Sequence, residues 1–302
     1  MRRAVAFSLL FLQAARAIGG TVLVLYPDAP PPYRLAFEQM IAGIERLAGR
    51  PVRTRALSDP DDPAAVARWI DTHRDNGALL VLLGHRAVAM SATLATGLPM
   101  LVGGITSMPD QVKAPGVSLT IDPALFLATV HDLLPATKTV VVVYNAHYQG
   151  LVPRLEHAAL AQGLTIQPLA VSDAASAVEQ LSRTFATIDP HTTTLWFTQD
   201  TLSLNSELIF PFVLEETWAR GIPAFSETVA HTKRGLLFSL YPDYHGIGME
   251  LGERIGKATG APPEFTLTRA ARLAVNLRTA RHLGLSPRAE VIEKAAVLFP
   301  EP

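Results

Sequence analysis

The stretch TVVVVYNAHYQG, Thr139–Gly150, opens with six residues that nearly restate TVLVLY, Thr21–Tyr26, far earlier in the chain. Each is a continuous apolar run of strand length, the pattern of a strand covered on both faces. The elements downstream of each run decide the fold, because one buried strand resembles another but a shared order of elements does not arise from burial alone.

After TVLVLY, the segment PPYRLAFEQMIAGIERLAG predicts a helix. Leu35, Met40, Ile44 and Leu47 fall near one face, Pro31 or Pro32 suits its first turn, and Gly49 suits its end. VRTRAL from Val52 is a second strand. DPAAVARWIDTHRDNG is a helix with an acidic start and a glycine stop. ALLVLLG, HRAVAMSATLATG and LPMLVGGIT continue as strand, helix and strand. The second half runs the same course. TVVVVY is succeeded by the helix QGLVPRLEHAALAQG, the strand LTIQPLAV, the helix DAASAVEQLSRTFAT, the strand TTTLWFTQD, the helix LNSELIFPFVLEETWARG and the strand IPAFSE. GIPAF, Gly221–Phe225, echoes GLPML, Gly97–Leu101. Tyr26 and Gly97 are 71 residues apart, and Tyr144 and Gly221 are 77 apart. Strands alternating with helices of this length imply βαβ units on parallel sheets. The expected fold is therefore α/β, with two doubly wound parallel-sheet lobes.

Elements remain after both units are complete. GLLFSLYPDYHGIGMELGERIGKATG reads as a strand and a helix, EFTLTRAARLAVNL as one or two strands, and RTARHLGL with PRAEVIEKAAVLF closes the chain. Returning to the first lobe and crossing back, with the link near Gly116–Asp122, makes a three-crossing hinge, which bends but resists free rotation. The expected division is residues 18–118 with 240–268 in the first lobe and 119–239 with 269–302 in the second.

The N-terminus reads as a secretory signal: Arg2 and Arg3, an apolar run AVAFSLLFLQAA, and small residues in ARA up to Ala17. Residues 1–17 are expected to be removed and the product to be periplasmic. The 302 residues are 49% hydrophobic, with net charge −1 and no long run of either sign. That argues against a nucleic-acid or anionic-membrane partner. There is no cysteine, hence no disulfide, thiolate metal site or cysteine nucleophile.

In an open doubly wound sheet, ligands bind beyond the carboxyl ends of the strands, and two such sheets facing each other make a cleft. The strand ends nominate Tyr26, Tyr33, His85 and Thr106 in the first half, and Asn145, Tyr148, Gln199, Asp200, Ser226 and Glu227 in the second. Asp243 in YPDY, Tyr241–Tyr244, joins them. Neutral hydrogen-bonders and aromatic rings with few charges suit a small polar solute. Helix N-termini favour a carboxylate, and Asp200 or Glu227 would hold an ammonium group. Each has a plainer reading. Asp200 precedes a helix and caps it on that reading, Asp28 sits in a proline-rich turn, and Arg86 is an ordinary helix-start cation.

The ordered series GVSLTIDP, LLPATKTVVVVYN, LWFTQDT, GIPAFSE, RGLLFSLYPDYHGIG and AVNLRTARHLGL resembles the ABC-transporter substrate-binding protein family of the ABC_sub_bind type, over about Val22 to Leu285. The resemblance implies a type I periplasmic binding protein fold and, for some members, aromatic amino acid ligands. It also implies polar cleft positions at Asn145, Asp200, Ser226 and Asp243. Two places depart from the family pattern: its usual Thr-Ala-Ala is Gly84, His85 and Arg86 here, and its Thr-Asp-Pro is TSMP, Thr106–Pro109.

GIGMELG, Gly246–Gly252, is not a dinucleotide fingerprint; glycines four apart on one helix make a smooth face for close packing. No Walker A, H-E-x-x-H or G-x-S-x-G sequence is present. The expectation is a binding protein, not an enzyme, without cofactor or metal, acting as a monomer on a small-molecule ligand and passing it to an ABC permease. A membrane sensor as partner, an enzyme acting in the cleft, and a ligand-free scaffold remain as rivals.

Overall fold

The computed structural model describes residues 19–198, 209–256 and 264–300, the side chain of His147 apart. The signal segment expected over residues 1–17 lies outside them.

The first half runs β1 (Val22–Pro27), α1 (Tyr33–Leu47), β2 (Val52–Leu57), α2 (Pro63–His73), β3 (Leu79–Leu83), α3 (Gly84–Ser91), β4 (Met100–Gly103) and β5 (Gly116–Ile121). The second runs α4 (Pro123–Leu133), β6 (Thr139–Tyr144), α5 (Val152–Leu160), β7 (Thr165–Ala170), α6 (Ala174–Thr187), β8 (Thr193–Phe197), α7 (Ile209–Arg220), β9 (Ala224–Ser226), α8 (Val229–Arg234) and β10 (Phe238–Pro242). The closing elements are α9 (Tyr244–Gly256), β11 (Phe265–Thr268), β12 (Ala271–Asn276), α10 (Leu277–His282), α11 (Ala289–Lys294) and β13 (Ala295–Phe299).

The duplication read from the sequence is written in the sheet order. One sheet runs β2-β1-β3-β4-β5-β11 and the other β7-β6-β8-β9-β10-β12-β13. The first four strands of each unit occupy the same places, and a fifth, β5 or β10, extends each sheet before the chain leaves it. The central strands are apolar because both faces are covered: Val22–Leu25 and Val140–Val143 are fully buried. At the edge of the second sheet, β7 tolerates Pro168 because only one side is paired. β12 runs antiparallel to β10, so that sheet is mixed at its far side.

Local chemistry sets the helix starts. The acidic start expected for α2 is Asp62, whose carboxylate accepts from the amides of Ala64 and Ala65. Asp122 caps α4 in the same way. In α1 the buried face is Met40, Ile41, Gly43 and Ile44. Leu35, expected on that face, is instead 55% exposed. The same first turn carries the exposed Tyr33.

α1 and α9 lie against each other backbone to backbone. A Cβ on Gly248 would strike the carbonyl oxygen of Met40 and lie 2.8 Å from its carbonyl carbon. A Cβ on Gly43 would strike the carbonyl oxygen of His245 and lie 2.7 Å from the amide nitrogen of Met249. The glycine face read from GIGMELG is thus a packing face, and its counterpart on α1 is Gly43.

Among the described residues the chain passes between the sheets at three places: Asp122 after β5, Asp243 after β10, and Arg269–Ala270 between β11 and β12. The first two differ from the expected junctions, and the third falls at the expected 268/269 boundary. β5 stays in the first sheet to Ile121, beyond residue 118, and β10 stays in the second to Pro242, beyond residue 239. In both cases ladder hydrogen bonds hold the strand to its end. The third passage binds the other two. The Asp122 amide donates to the Thr268 carbonyl (2.8 Å) and the Asp243 amide to the Ala270 carbonyl (3.1 Å). Arg269 reaches the Asp122 carboxylate at 3.0 Å. From α9, Glu250 accepts from the Thr268 hydroxyl at 3.0 Å and the Arg269 amide at 2.9 Å.

Candidate functional site

In both lobes the strands end toward the crossings, so the loops after β1, β3 and β4 face those after β6, β9 and β10. On the first lobe this rim is aromatic. Tyr26, at the end of β1, lies 6.3 Å from Phe37 of α1, centroid to centroid. Phe37 in turn covers two glycines. Gly84, after β3, has φ +82° and Gly104, after β4, has φ +66°, values that favour glycine. A Cβ on Gly84 would lie 3.2 Å from the Phe37 ring, and one on Gly104 would lie 3.0 Å from the Gly84 amide. Two backbones therefore meet beneath one ring.

Tyr33 stands one helical turn before Phe37 and is 69% exposed. It is close enough to Tyr244, the first residue of α9, to help hold that phenol in its neutral form; burial is the main cause of the raised pKa there. Tyr241 also titrates above the usual phenol range, chiefly through burial, with Arg272 opposing the shift and Asp243 adding to it. The rings of Tyr26, Tyr33, Phe37 and Tyr244 are thus carried by the end of β1, the first turns of α1 and the start of α9, with Asp243 at the second crossing. Asp243 is half-buried there, and its carboxylate accepts from the Gly246 amide at 3.2 Å, so it also caps α9.

The remaining expected residues divide. His85 is exposed at the start of α3, and Thr106 is half-buried after β4. On the opposite lobe Asn145 and Glu227 are half-buried at the ends of β6 and β9. Ser226 is 1% exposed and turned inward, its hydroxyl 3.1 Å from His231 Nδ1 and within 3.3 Å of the Thr228 amide. Tyr148 is also 1% exposed, within the apolar cluster that includes Leu151 and, from the first lobe, Met108. The expected stacking ring is a core side chain at the junction of the lobes, because the 3-10 turn Ala146–Leu151 folds it inward. Gln199 and Asp200 lie outside the described residues. Phe37 lies beside Tyr26 on this rim although the strand-end pattern does not nominate it; its i,i+4 spacing from Tyr33 on one helix is available in the sequence.

A groove of about 1300 Å³ with mixed polar and apolar lining flanks the crossings, between Asp110 and Arg254 on the first lobe and Arg154 and His157 on the second. It contains none of the residues expected to touch a ligand. Among the described residues there is no group of three or more His, Asp or Glu arranged to hold a metal, and no helix is long and apolar enough to cross a membrane.

No protein-family model and no curated protein matches the chain. Solved structures do. An ABC domain from Streptococcus pneumonia in complex with L-Trp is 19% identical, covering 93% of this chain and 100% of its own, with a TM-score of 0.53. A ligand-free, open substrate-binding protein with adhesive properties from Clostridium difficile is 16% identical, covering 92% and 98%, with a TM-score of 0.63. At these identities the likeness establishes the fold: two α/β lobes of the type I periplasmic binding protein class.

Proposed function

We propose that this protein is an extracytoplasmic solute-binding protein that captures a small amino-acid-like ligand, aromatic in class, by closing its lobes, and delivers it to an ABC importer. The observation that carries this reading is the group of rings Tyr26, Phe37, Tyr33 and Tyr244, with Asp243 at the second crossing, on the rim where the strand ends of two lobes face each other. Rings offer stacking surface. Asp243 and Glu227 offer carboxylates for an ammonium group, and the start of α3 offers backbone amides for a carboxylate. The L-Trp held by the Streptococcus pneumonia structure and the substrate-binding role of the Clostridium difficile protein support the same class.

The mechanism rests on the crossings. Each lobe presents part of the contacts, so only the closed form makes all of them. Ligand then shifts the population toward closure by its differential affinity for that form. A micromolar site corresponds to about 8 kcal/mol, part of which drives closure. The exposed Tyr33 fits an open form in this reading, and the importer would recognise the outline of the closed one.

Thermal unfolding against a panel of L-amino acids, nucleosides, sugars and short peptides tests the proposal. Aromatic amino acids are expected to raise the melting temperature progressively with concentration. A rise with sugars or nucleosides alone would overturn the ligand class, and no rise with any member would overturn the capture function.

A further inference from the structure

The end of the second lobe farthest from the crossings holds a cavity of about 820 Å³, within the usual range for small-molecule sites. It lies where β10 begins and where β12 and β13 end. Trp218 and Phe299 form apolar wall, and Lys233, Arg234 and Arg278 bring three cations to it. Glu215 is the single carboxylate lining it, and among the described residues neither it nor the three cations takes part in an ion pair.

Helix-end electrostatics account for two of those cations. Lys233 and Arg234 close α8, where positive charge complements the helix dipole. Arg278 has no such reason. It stands in the first turn of α10, after the cap Asn276, where a cation opposes the dipole. Its guanidinium lies 5.8 Å from the Trp218 ring centre. Trp218 is itself fixed. His282 stacks on it at 3.6 Å and 5°, and the His282 Nε2–H donates to the Trp218 carbonyl at 2.9 Å. Even so, Trp218 remains 40% exposed. The Arg234 guanidinium lies 4.0 Å over the Phe210 ring, and three exposed cations against the one carboxylate of Glu215 leave the lining with an excess of positive charge that an anion would balance.

We infer that this cavity is a second binding site, separate from the crevice between the lobes, for a small aromatic anion: a carboxylate, sulfonate or phosphate ester whose charge sits among Lys233, Arg234 and Arg278 and whose ring lies against Trp218 and Phe299.

The test is calorimetric titration of the full protein with phenyl phosphate, with inorganic phosphate and benzyl alcohol as partial probes. Saturable one-site binding of phenyl phosphate is expected, weaker binding of inorganic phosphate, and none of benzyl alcohol. The double variant K233A/R278A is expected to bind phenyl phosphate about tenfold or more weakly with an unchanged melting temperature. Arg278→Gln alone, on an exposed side chain, is expected to weaken it in the same direction. Tyr33→Ala, in the crevice, is expected to leave it intact, which separates this site from the proposed capture function. No saturable binding, equal affinity for inorganic phosphate, undiminished binding by Arg278→Gln and the double variant, or loss through Tyr33→Ala would each overturn the inference.

Discussion

Replacing Gly248 by alanine sets two effects of opposite sign against each other. In an exposed helix interior, Gly→Ala stabilises by about 1 kcal/mol, because glycine gives up more backbone freedom. At Gly248 the added methyl would meet the Met40 backbone of α1: its carbonyl oxygen at the closest point, its carbonyl carbon at 2.8 Å and its Cα at 2.9 Å. Backbone inside a helix cannot rotate aside as a side-chain tip does, so the two helices must separate. Overpacking of this kind costs roughly 1–3 kcal/mol, and the rigidity of both partners puts it at the upper end. The net effect expected for Gly248→Ala is a loss of about 2 kcal/mol, or about 4 °C in melting temperature for a chain of this size. Gly252 is the internal control. It lies one turn later on the same face, and its Cβ would meet the Leu47 Cβ at 3.0 Å and the Ile44 carbonyl oxygen at 3.1 Å. Gly252→Ala is therefore expected to cost less. Urea unfolding with matched m-values measures both. A Gly248→Ala protein as stable as the parent, or a larger loss at Gly252, would show that α1 and α9 do not approach as described.

Tyr33→Ala and Asp243→Asn are expected to abolish the thermal shift given by aromatic amino acids; Tyr33→Ala should leave the unliganded melt unchanged, which unfolding scans with and without ligand would show. His231 is pushed down to about 4, first by burial and then by the Arg234 charge. The native state therefore binds fewer protons than the unfolded chain, and stability should fall as pH drops from about 6.5 to about 4; His231→Gln should flatten that part of a stability–pH profile. Asp75 accepts from the Thr21 amide at 2.7 Å and hydroxyl at 2.8 Å, which holds its pKa below the ordinary value. Its contribution is present above the ordinary carboxylate range and lost as pH falls through the lowered pKa, so Asp75→Asn should destabilise at neutral pH and match the parent in strong acid. Asp122→Ala removes the α4 cap and the Arg269 contact across the crossings, with an expected loss of about 1 kcal/mol by urea unfolding.

The architecture is legible in the sequence because buried parallel strands leave unbroken apolar runs and because the same order occurs twice. TVLVLY and TVVVVY are equivalent strands, and even the leftover EFTLTRAARLAVNL separates into β11 and β12 in different sheets. The junctions are less legible. Whether a strand ends at residue 118 or 121 depends on pairing with a neighbour 147 residues away, as the Thr268–Ile121 register pair illustrates, and local pattern does not carry that. At the site, Tyr26, Tyr33 and Asp243 fall on the rim because strand ends and helix starts mark it. Tyr148 does not, because a 3-10 turn rather than the first turn of a helix sets its direction. Phe37 escapes the pattern for the opposite reason: an apolar residue on a helix reads as core until the exposed ring one turn earlier gives that face a second use.

The braided crossings also govern the order in which the protein comes into being. The first sheet lacks its edge strand until Phe265–Thr268 has been synthesised, and α9 must arrive to cover α1. The second sheet waits for Ala295–Phe299. Neither half is a contiguous piece of chain that can finish folding while the rest is still emerging. A polypeptide built this way does not complete both sheets until the two returning segments, Phe265–Thr268 and Ala295–Phe299, have been made.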